Sequence, residues 1–464
     1  MLLGRTCAGI AEVLLKGVIV GASATMEKLL DIATLSGDAI SEEAKRYARF
    51  SLFDWLVVGR AGAQQELSTI VRDMVLAEEG KSQASMFGTP HKVPARAAAL
   101  ANGAISHALD YDDTHFAHIG HPSVGIYPAA LAIGEAIGAS LQSVCDSFLL
   151  GAEASCRFGM VLGRGHYQRG YHQTATAGAI GATIAAGRLL GLDRRQMQHA
   201  LSLVATRASG LKSQFGSMGK PYNAGMSAAN GVEVAMLAKA GFLSCDDGLG
   251  GPQGFIETHT DAPDFSDPFV HMPPERFVFT DIKYKLHACC HGTHAMIEAV
   301  RELMEQRGGN TLRPKEIHVK TNARWLNVCD IKQPRTGLEV KFSYAYLAGM
   351  VLAGYDTSSE KSYDDGLHGE PALRDLALLV KVSGDAALSD TAAHVGVTWQ
   401  DATFSDASHD IAFQPPLSET ERRLRQKAAS LLGTAKAEKI WSLVTSPRVV
   451  SARQVGKLLH GMEV

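Results

Sequence analysis

Apolar residues recur every three or four positions from about residue 26 to residue 265. After Ser41, a favourable N-cap, the positions Tyr47, Phe50, Phe53 and Leu56 lie on one helical face. The same spacing predicts further helices over 95–109, 123–139, 174–190, 194–203 and 228–240. Alanine and glycine are abundant in these segments, so the helices can pack closely. The pattern therefore predicts a large helical domain.

The pattern changes near Asp261, where the run DAPDFSDPFVHMPPERF, rich in proline and aspartate, indicates a domain crossing. Beyond it, strand-like and helical runs alternate: strands over 278–282, 316–321 and 393–399, helices over 294–306 and 343–353. Helical spacing returns over 418–432 and 435–444. We therefore predict a mainly α protein, with a helical domain formed by 1–267 and 405–464 and a smaller α/β domain over 268–404.

The N-terminal segment admits two interpretations. An apolar run over 8–20 follows Arg5 and precedes Gly-Ala-Ser-Ala at 21–24, as in a secretory signal peptide. Glu12 and Lys16 interrupt that run, which favours instead a dispensable leader over 1–25. The uncharged segment 175–187 is too short to span a bilayer, so we expect no membrane association.

The composition is that of an ordinary globular chain. Of 464 residues, 46% are hydrophobic and 20% are charged, and the net charge is −3. No basic stripe is present that would bind nucleic acid or an acidic membrane surface. The seven cysteines are an odd number without a CxxC pair, which indicates reduced thiols and hence a cytoplasmic protein.

The segment 102–123 concentrates titratable side chains: His107, His115, His118 and His121, with Asp110, Asp112 and Asp113. Such density is typical of acid–base catalysis or of metal binding. His115, His118 and His121 follow an HxxHxxH spacing, but Gly120 and Pro122 break any helix at the third histidine. The spacing matches no established ligand motif. We therefore expect no catalytic metal.

An acid–base interpretation accounts for more of the chain. His121 and His172 each directly precede a predicted helix, and Lys220 lies ahead of a third one. Helix N-termini carry partial positive charge and free N–H groups. Each of these residues taken alone is equally typical of a surface loop. Together they predict a pocket that binds an anion and transfers protons.

Two other motifs carry less information. The glycine-rich run over 248–254 lacks the lysine of a phosphate-binding loop and is typical of a turn. Cys289, Cys290 and His291 are compatible with a thiol nucleophile, but also with buried structural cysteines, which are commoner.

Five motifs occur in a specific order. They are NGxxxHxxDxDD continuing to HPS over 102–123, GxHxT over 170–174, GKPxxxGxxAxxG over 219–231, KxxxCCxxTH over 285–294, and KFSxxY over 341–346. This set resembles the MmgE/PrpD family from about residue 30 to the C-terminus. The family includes 2-methylcitrate dehydratase, cis-aconitate decarboxylase and iminodisuccinate epimerase. The resemblance implies a large helical domain, a smaller α/β lid domain, a homodimer, and no metal or organic cofactor.

The resemblance also implies site residues. The first motif places an aspartate, a threonine and a histidine of the family at Asp110, Thr114 and His121; later motifs place the others at His172, Lys220, Lys285 and Tyr346. The chain has one extra residue between Asp113 and His121 compared with the decarboxylase, and a second departure from the family matters more. Where the decarboxylase has a histidine five residues after the second lysine, this chain has Cys290, which argues against decarboxylation.

The family's reactions begin at a carbon beside a carboxylate. That C–H is a poor acid, so its removal needs a positioned base and nearby cations. We predict catalytic roles for Asp110, His121, His172, Lys220 and Tyr346, and substrate contacts for Thr114, Lys285, Cys290 and His291. Six of these groups, Asp110, His121, His172, Lys220, Lys285 and Tyr346, are expected to meet in one cleft between the domains.

The exact reaction is less constrained than its first step. Overall similarity favours an epimerase of the iminodisuccinate epimerase type acting on a small di- or tricarboxylate. A hydro-lyase of the 2-methylcitrate dehydratase type is the main alternative, and a decarboxylase is less favoured. A non-catalytic protein that binds a small acid is the alternative from another class.

Overall fold

Helices form most of the described chain, which comprises residues 21–307 and 313–460 of a computed structural model. In chain order the helices are α1 (described over 21–34), α2 (Glu42–Gly62), α3 (Glu66–Leu76), α4 (Ala95–Ser106), α5 (Pro122–Ile137), α6 (Leu141–Arg169), α7 (Gln173–Leu189), α8 (Arg194–Val204), α9 (Gly219–Lys239), α10 (Phe255–His259), α11 (His294–Gln306), α12 (Leu326–Cys329), α13 (Gly337–Val340), α14 (Tyr344–Leu352), α15 (Pro371–Leu378), α16 (Leu417–Leu432), α17 (Thr434–Val444) and α18 (Ala452–Lys457). The strands are β1 (Ala84–Met86), β2 (Thr89–Val93), β3 (Pro314–Thr321), β4 (Val380–Gly384), β5 (Ala392–Trp399) and β6 (Phe404–Asp410). The predicted fold class, mainly α with a smaller α/β part, is confirmed.

Packing divides the described residues into two units. The first contains the residues up to Tyr284 and those from Ala435 onward, and the second is Lys285–Thr434. The boundary predicted at 267/268 thus lies inside the first unit, and that at 404/405 inside the second. Residues 1–20 of the predicted leader lie outside the described residues, whereas Ala22 and Thr25 are buried. No described helix combines the length and the apolar character needed to cross a membrane.

A buried arginine explains why the first unit continues through the Pro/Asp-rich run. The Arg157 guanidinium, in α6, donates to the carbonyls of Pro268, His271 and Arg276 at 2.5, 2.9 and 3.0 Å. It also pairs with Glu153 at 2.6 Å. A buried charge is costly unless it is fully hydrogen-bonded, so these carbonyls fix the segment against α6.

Small residues bring the central helices of the first unit into close contact. α5 and α7 are buried along almost their whole length. A Cβ on Gly151 of α6 would lie 2.4 Å from the carbonyl oxygen of Gly181 in α7. A Cβ on Gly103 of α4 would lie 2.7 Å from the Cα of Gly225 in α9. This packing fixes the positions of the α5, α7 and α9 N-termini, where the candidate site lies.

A four-stranded mixed sheet forms the centre of the second unit, with strand order β4-β3-β5-β6. β3 is parallel to β4, whereas β5 is antiparallel to both β3 and β6. Ile317, Val319 and Thr321 alternate with more exposed residues in β3, as expected for a strand with one buried face. α11 packs on β5 and β6, and α14 packs on β4.

The local predictions hold for most elements. The helices predicted over 95–109, 123–139, 174–190 and 194–203 are confirmed, with ends that differ by up to three residues. The strands predicted over 316–321 and 393–399 are confirmed as well. The strand predicted over 278–282 is wrong, because Val278–Asp281 is a 3₁₀ helix. The hydrogen bonds that hold this 3₁₀ helix come from a residue distant in sequence. The Glu153 carboxylate accepts them from the N–H groups of Val278 and Phe279 at 3.1 and 2.8 Å.

The helix predicted over 228–240 begins earlier, at Gly219. Proline near a helix start leaves no hydrogen bond unmade, because the first N–H groups of a helix have no partner within it. Pro221 is therefore compatible with this start. Lys220 consequently lies in the first turn of α9 instead of ahead of the helix.

Candidate active site

The loop between α4 and α5 carries the histidines and aspartates singled out in the sequence. It is folded into the first unit, and His107, Asp112 and Asp113 are buried. Asp110 has a φ of 50°, a left-handed conformation that is uncommon for a residue other than glycine. Such strain persists where the surrounding structure imposes it, often at functional sites.

The Asp112 carboxylate lies between two histidines and contacts one with each oxygen. Its Oδ1 lies 2.7 Å from Nδ1 of His107, and its Oδ2 lies 2.8 Å from Nδ1 of His121. Burial alone would raise the pKa of the Asp112 carboxyl, but His107 and His121 outweigh burial and hold that pKa well below its ordinary value. An ionised carboxylate only accepts hydrogen bonds, so the His107 imidazole directs a protonated Nδ1 toward it. Nε2 is then the nitrogen that the His107 ring has left for other contacts. The His121 contact is an equally short ion-pair distance that lacks the direction of a hydrogen bond.

His121 is the N-cap residue of α5, as the sequence predicted for a histidine before a helix. Its backbone N–H donates to the hydroxyl of Thr174 in α7 at 3.0 Å. Burial lowers the pKa of His121 to about 4, against the opposing effect of the Asp112 charge. The ring is therefore neutral at pH 7 and able to accept a proton at Nε2.

Asp110 connects His121 to Lys220. Lys220 Nζ lies 2.7 Å from Asp110 Oδ2, and His121 Nε2 lies 3.5 Å from Asp110 Oδ1. The Asp110 side chain is 46% exposed, against 16% for Lys220, so solvent reaches this edge of the cluster. The lysine ammonium also faces the ring of Phe215, 5.4 Å from its centroid.

His172 lies on the other side of the same group of rings and is buried. It is the N-cap residue of α7, and its backbone N–H donates to the Gly210 carbonyl at 3.0 Å. Its ring stacks on His107 at a centroid distance of 6.3 Å and meets Phe215 edge-on at 5.0 Å. Burial holds the pKa of His172 well below its ordinary value, and the nearby His107 and Lys220 charges add to the effect.

The remaining polar residues of the loop have structural partners. Asp113 accepts from the Ser123 hydroxyl and N–H at 2.5 and 3.2 Å, and burial raises its pKa to about 7. Thr114 exchanges two backbone hydrogen bonds with Lys283, both at 2.8 Å. The backbone pairing fixes Thr114 beside the cluster, and its predicted substrate contact stays a prediction.

The HxxHxxH spacing does not describe a shared group. His115 Nε2 lies 2.9 Å from the Val278 carbonyl, and His118 packs on Gly159 of α6. Burial lowers the pKa of His118 to about 3. Among the described residues, the group whose donor atoms lie close enough to share an ion is instead His107, Asp110, Asp112 and His121.

The other four predicted site residues lie in the second unit. Lys285 and Tyr346 are buried, and the Tyr346 hydroxyl donates to the His368 carbonyl at 3.3 Å. The Cys290 N–H donates to the Lys341 carbonyl at 3.1 Å. The His291 ring lies 4.7 Å from that of His294, whose pKa is held well below its ordinary value by burial and then by the charges around it, those of His291 and Lys285 included.

The structure thus groups Asp110, His121, His172 and Lys220 in the first unit, whereas in the second unit His291 and Lys285 are both close enough to His294 to lower its pKa. Sequence reasoning missed His107 and Asp112 as members of the first group. Both belong to the NGxxxHxxDxDD motif, so the signal was present. The motif alone does not tell which of its three aspartates faces the histidines.

Comparisons with known proteins agree with this architecture. The MmgE/PrpD N-terminal domain family matches residues 31–268, and the MmgE/PrpD C-terminal domain family matches residues 287–445. Cis-aconitate decarboxylase of Aspergillus terreus is 26% identical over 374 residues, which are 76% of each chain. Cis-aconitate decarboxylase of Homo sapiens is 24% identical over 429 residues, 88% of this chain and 87% of the relative.

Because the two domain families together match most of the chain, the protein belongs to the MmgE/PrpD family. It is accordingly an enzyme of the lyase or isomerase type that this family comprises.

Proposed function

We propose that the protein removes a proton from a carbon beside a carboxylate of a small di- or tricarboxylate, without a cofactor. The observation that carries this proposal is the Asp112-bridged histidine pair beside the Lys220–Asp110 ion pair. The first supplies a neutral, oriented imidazole at His121. The second supplies an ammonium that can bind a substrate carboxylate.

Substrate binding would adjust the basicity of His121. In the unliganded protein its pKa of about 4 makes the imidazole a weak base. A bound polycarboxylate brings negative charge to the edge of the cluster, and negative charge favours the protonated ring. The pKa of His121 would therefore rise toward neutrality when substrate binds. Asp112 would then stabilise the imidazolium formed at Nε2.

His172 is the proposed second proton carrier. It is the N-cap residue of α7, whereas His121 is that of α5. Its neutral ring lies beside those of His107 and His121. Two carriers that approach one carbon from different directions are what an epimerase needs. The roles predicted for Lys285, Cys290, His291 and Tyr346 stay predictions that rest on the family resemblance.

Epimerisation is the reaction we favour. Its support is the overall similarity of the sequence to that branch of the family. Cys290, a thiol where the decarboxylase has a histidine, argues against decarboxylation but does not separate an epimerase from a dehydratase. Decarboxylation is the second candidate, since both relatives described above bear the name cis-aconitate decarboxylase. Dehydration needs a base and an acid for the departing hydroxyl, and the same two proton carriers would serve it.

Proton NMR in D₂O separates these reactions. The protein is incubated in turn with iminodisuccinate, 2-methylcitrate and cis-aconitate. An epimerase incorporates deuterium at the α-carbon with inversion, a dehydratase forms an alkene, and a decarboxylase releases CO₂. His121→Asn should abolish the reaction, whereas His271→Asn, at an exposed histidine paired with Glu275, should not. Ligand-induced shifts with no exchange and no product for any of the three would indicate a binding protein instead.

A further inference from the structure

The histidine–aspartate cluster has the donor atoms of a transition-metal site. His107, Asp110, Asp112 and His121 each place one nitrogen or carboxylate oxygen within 4.8 Å of the others. Imidazole nitrogens combined with carboxylate oxygens suit Zn²⁺, Co²⁺ and Ni²⁺. This set shares only His121 with the HxxHxxH spacing.

Asp112 fixes the orientation of both imidazole rings, as a metal site requires. Metal-bound histidines usually donate their other ring N–H to a carboxylate, which fixes the orientation of the ring. Asp112 is hydrogen-bonded to Nδ1 of His107 at 2.7 Å, and its other oxygen lies 2.8 Å from Nδ1 of His121. Nε2 of His107 is buried and has no hydrogen-bond partner within the described chain. Nε2 of His121 lies 3.5 Å from Asp110 Oδ1. Together with the Asp110 carboxylate, the two imidazoles make a two-histidine, one-carboxylate ligand set.

A cation already competes for this ligand set. The Lys220 ammonium lies 2.7 Å from Asp110 Oδ2. A divalent ion on Asp110 would sit close to that ammonium, and the repulsion between the two positive charges weakens metal binding. Removing the lysine charge should therefore strengthen metal binding, the opposite of what a disrupted fold would do.

We propose that the cluster binds one divalent transition-metal ion through one ring nitrogen each of His107 and His121 and the carboxylate of Asp110, in competition with Lys220. Asp112 positions the two rings. The ion occupies groups assigned to proton transfer and substrate binding, so it acts as an inhibitor; only this last consequence rests on the proposed function.

Cobalt titration of the full-length protein tests the proposal without any substrate. Co²⁺ bound to nitrogen and oxygen ligands gives visible absorption bands, and equilibrium dialysis gives the stoichiometry. We expect one ion per chain, displaced by Zn²⁺. Lys220→Met should tighten Kd about tenfold or more, and Asp110→Asn should weaken it by at least about tenfold. Asp112→Asn should weaken it by about 10- to 100-fold.

Two control variants locate the ion. Lys212→Met removes another lysine of the first unit, whose ammonium donates to the Tyr167 carbonyl at 3.0 Å, and it should leave Kd unchanged. Cys290→Ser tests a thiol site in the second unit and should also leave Kd unchanged. The proposal is overturned if neither the wild type nor Lys220→Met binds Co²⁺. Binding that is lost in Cys290→Ser, or is the same in Lys220→Met and the wild type, overturns it equally.

Discussion

At the scale of single residues, neighbouring carboxylates in one loop differ in their chemical state. Asp112 is held ionised by two histidines, whereas burial raises the pKa of Asp113 to about 7. Asp110 is more exposed than either and pairs with Lys220. Neighbours in the folded structure, not the shared residue type, determine these differences.

The first prediction concerns Asp112. An asparagine has one acceptor oxygen and one NH₂ donor and carries no charge, so it cannot present a carboxylate oxygen to Nδ1 of both histidines. Asp112→Asn should lower kcat by roughly 10²- to 10⁴-fold. Loss of the Asp112 charge should also lower the pKa of His121 further, and shift the acidic limb of the kcat/KM profile to lower pH. Asp113→Asn is the matched control, since Asp113 bonds Ser123, and it should keep near-normal turnover. Equal losses in both variants would assign the effect to packing.

The positive charge of Lys220 should contribute to substrate binding and turnover. Lys220→Met keeps most of the side-chain volume but removes the ammonium expected to bind a substrate carboxylate. Its kcat/KM should fall by roughly 10²- to 10³-fold, measured on the substrate identified by NMR. Lys212→Met, at a lysine that lies 3.8 Å from the Tyr167 ring centroid, should have little effect. A Lys220→Met enzyme of near-normal efficiency would refute the assignment.

Asp113 should make stability depend on pH. Its folded pKa of about 7 lies above the ordinary value of 3.8, so the folded state retains a proton that the unfolded state releases between those values. This contribution is complete below pH 3.8 and is lost as the pH rises through about 7. Asp113→Asn, which stays neutral, should gain stability relative to the wild type as the pH rises from 3.8 to about 7, and the difference should be constant above that. Urea unfolding at several pH values checks the slope, and parallel curves for both proteins would contradict it.

At the scale of elements, helix ends and close helix contacts position the residues of the candidate site. His121, His172 and Lys220 come from the first residues of α5, α7 and α9 or directly precede them. The loop that ends at His121 rests on α6, where Gly159 leaves room for His118. A Cβ at Gly159 would lie 2.5 Å from His118 Nδ1 and 3.2 Å from its backbone.

Gly159→Ala should therefore displace this loop. We expect a loss of about 1–3 kcal/mol in the free energy of unfolding, because overpacking forces backbone shifts, together with reduced turnover. Gly165→Ala lies in the same helix, where the added Cβ would meet only the Thr260 hydroxyl at 3.7 Å. It should be neutral or stabilise by up to about 1 kcal/mol, since alanine favours helix over glycine. Denaturant unfolding of the pair distinguishes loop displacement from a general glycine effect.

At the scale of the whole molecule, the described chain forms two units of different class, one helical and one containing a mixed sheet. The family resemblance further predicts a homodimer, and the cysteine pattern predicts a cytoplasmic protein. Light scattering coupled to size-exclusion chromatography should give about twice the chain mass of 49.5 kDa. A mass of one chain at micromolar concentration would contradict the dimer.

The sequence by itself determined the features that depend on local spacing. Apolar periodicity and N-cap residues placed most helices and two strands, because those signals act within a few residues of each other. The ordered motifs identified the family and the positions of Asp110, His121, His172 and Lys220.

Only the tertiary structure decided which groups face one another. Asp112 meets His107 and His121 through an irregular loop, for which no periodicity predicts side-chain direction. The 3₁₀ helix at Val278 depends on Glu153, far away in α6. Both cases have one physical reason: a buried charged side chain must find its partners in space, and those partners are not fixed by spacing along the chain.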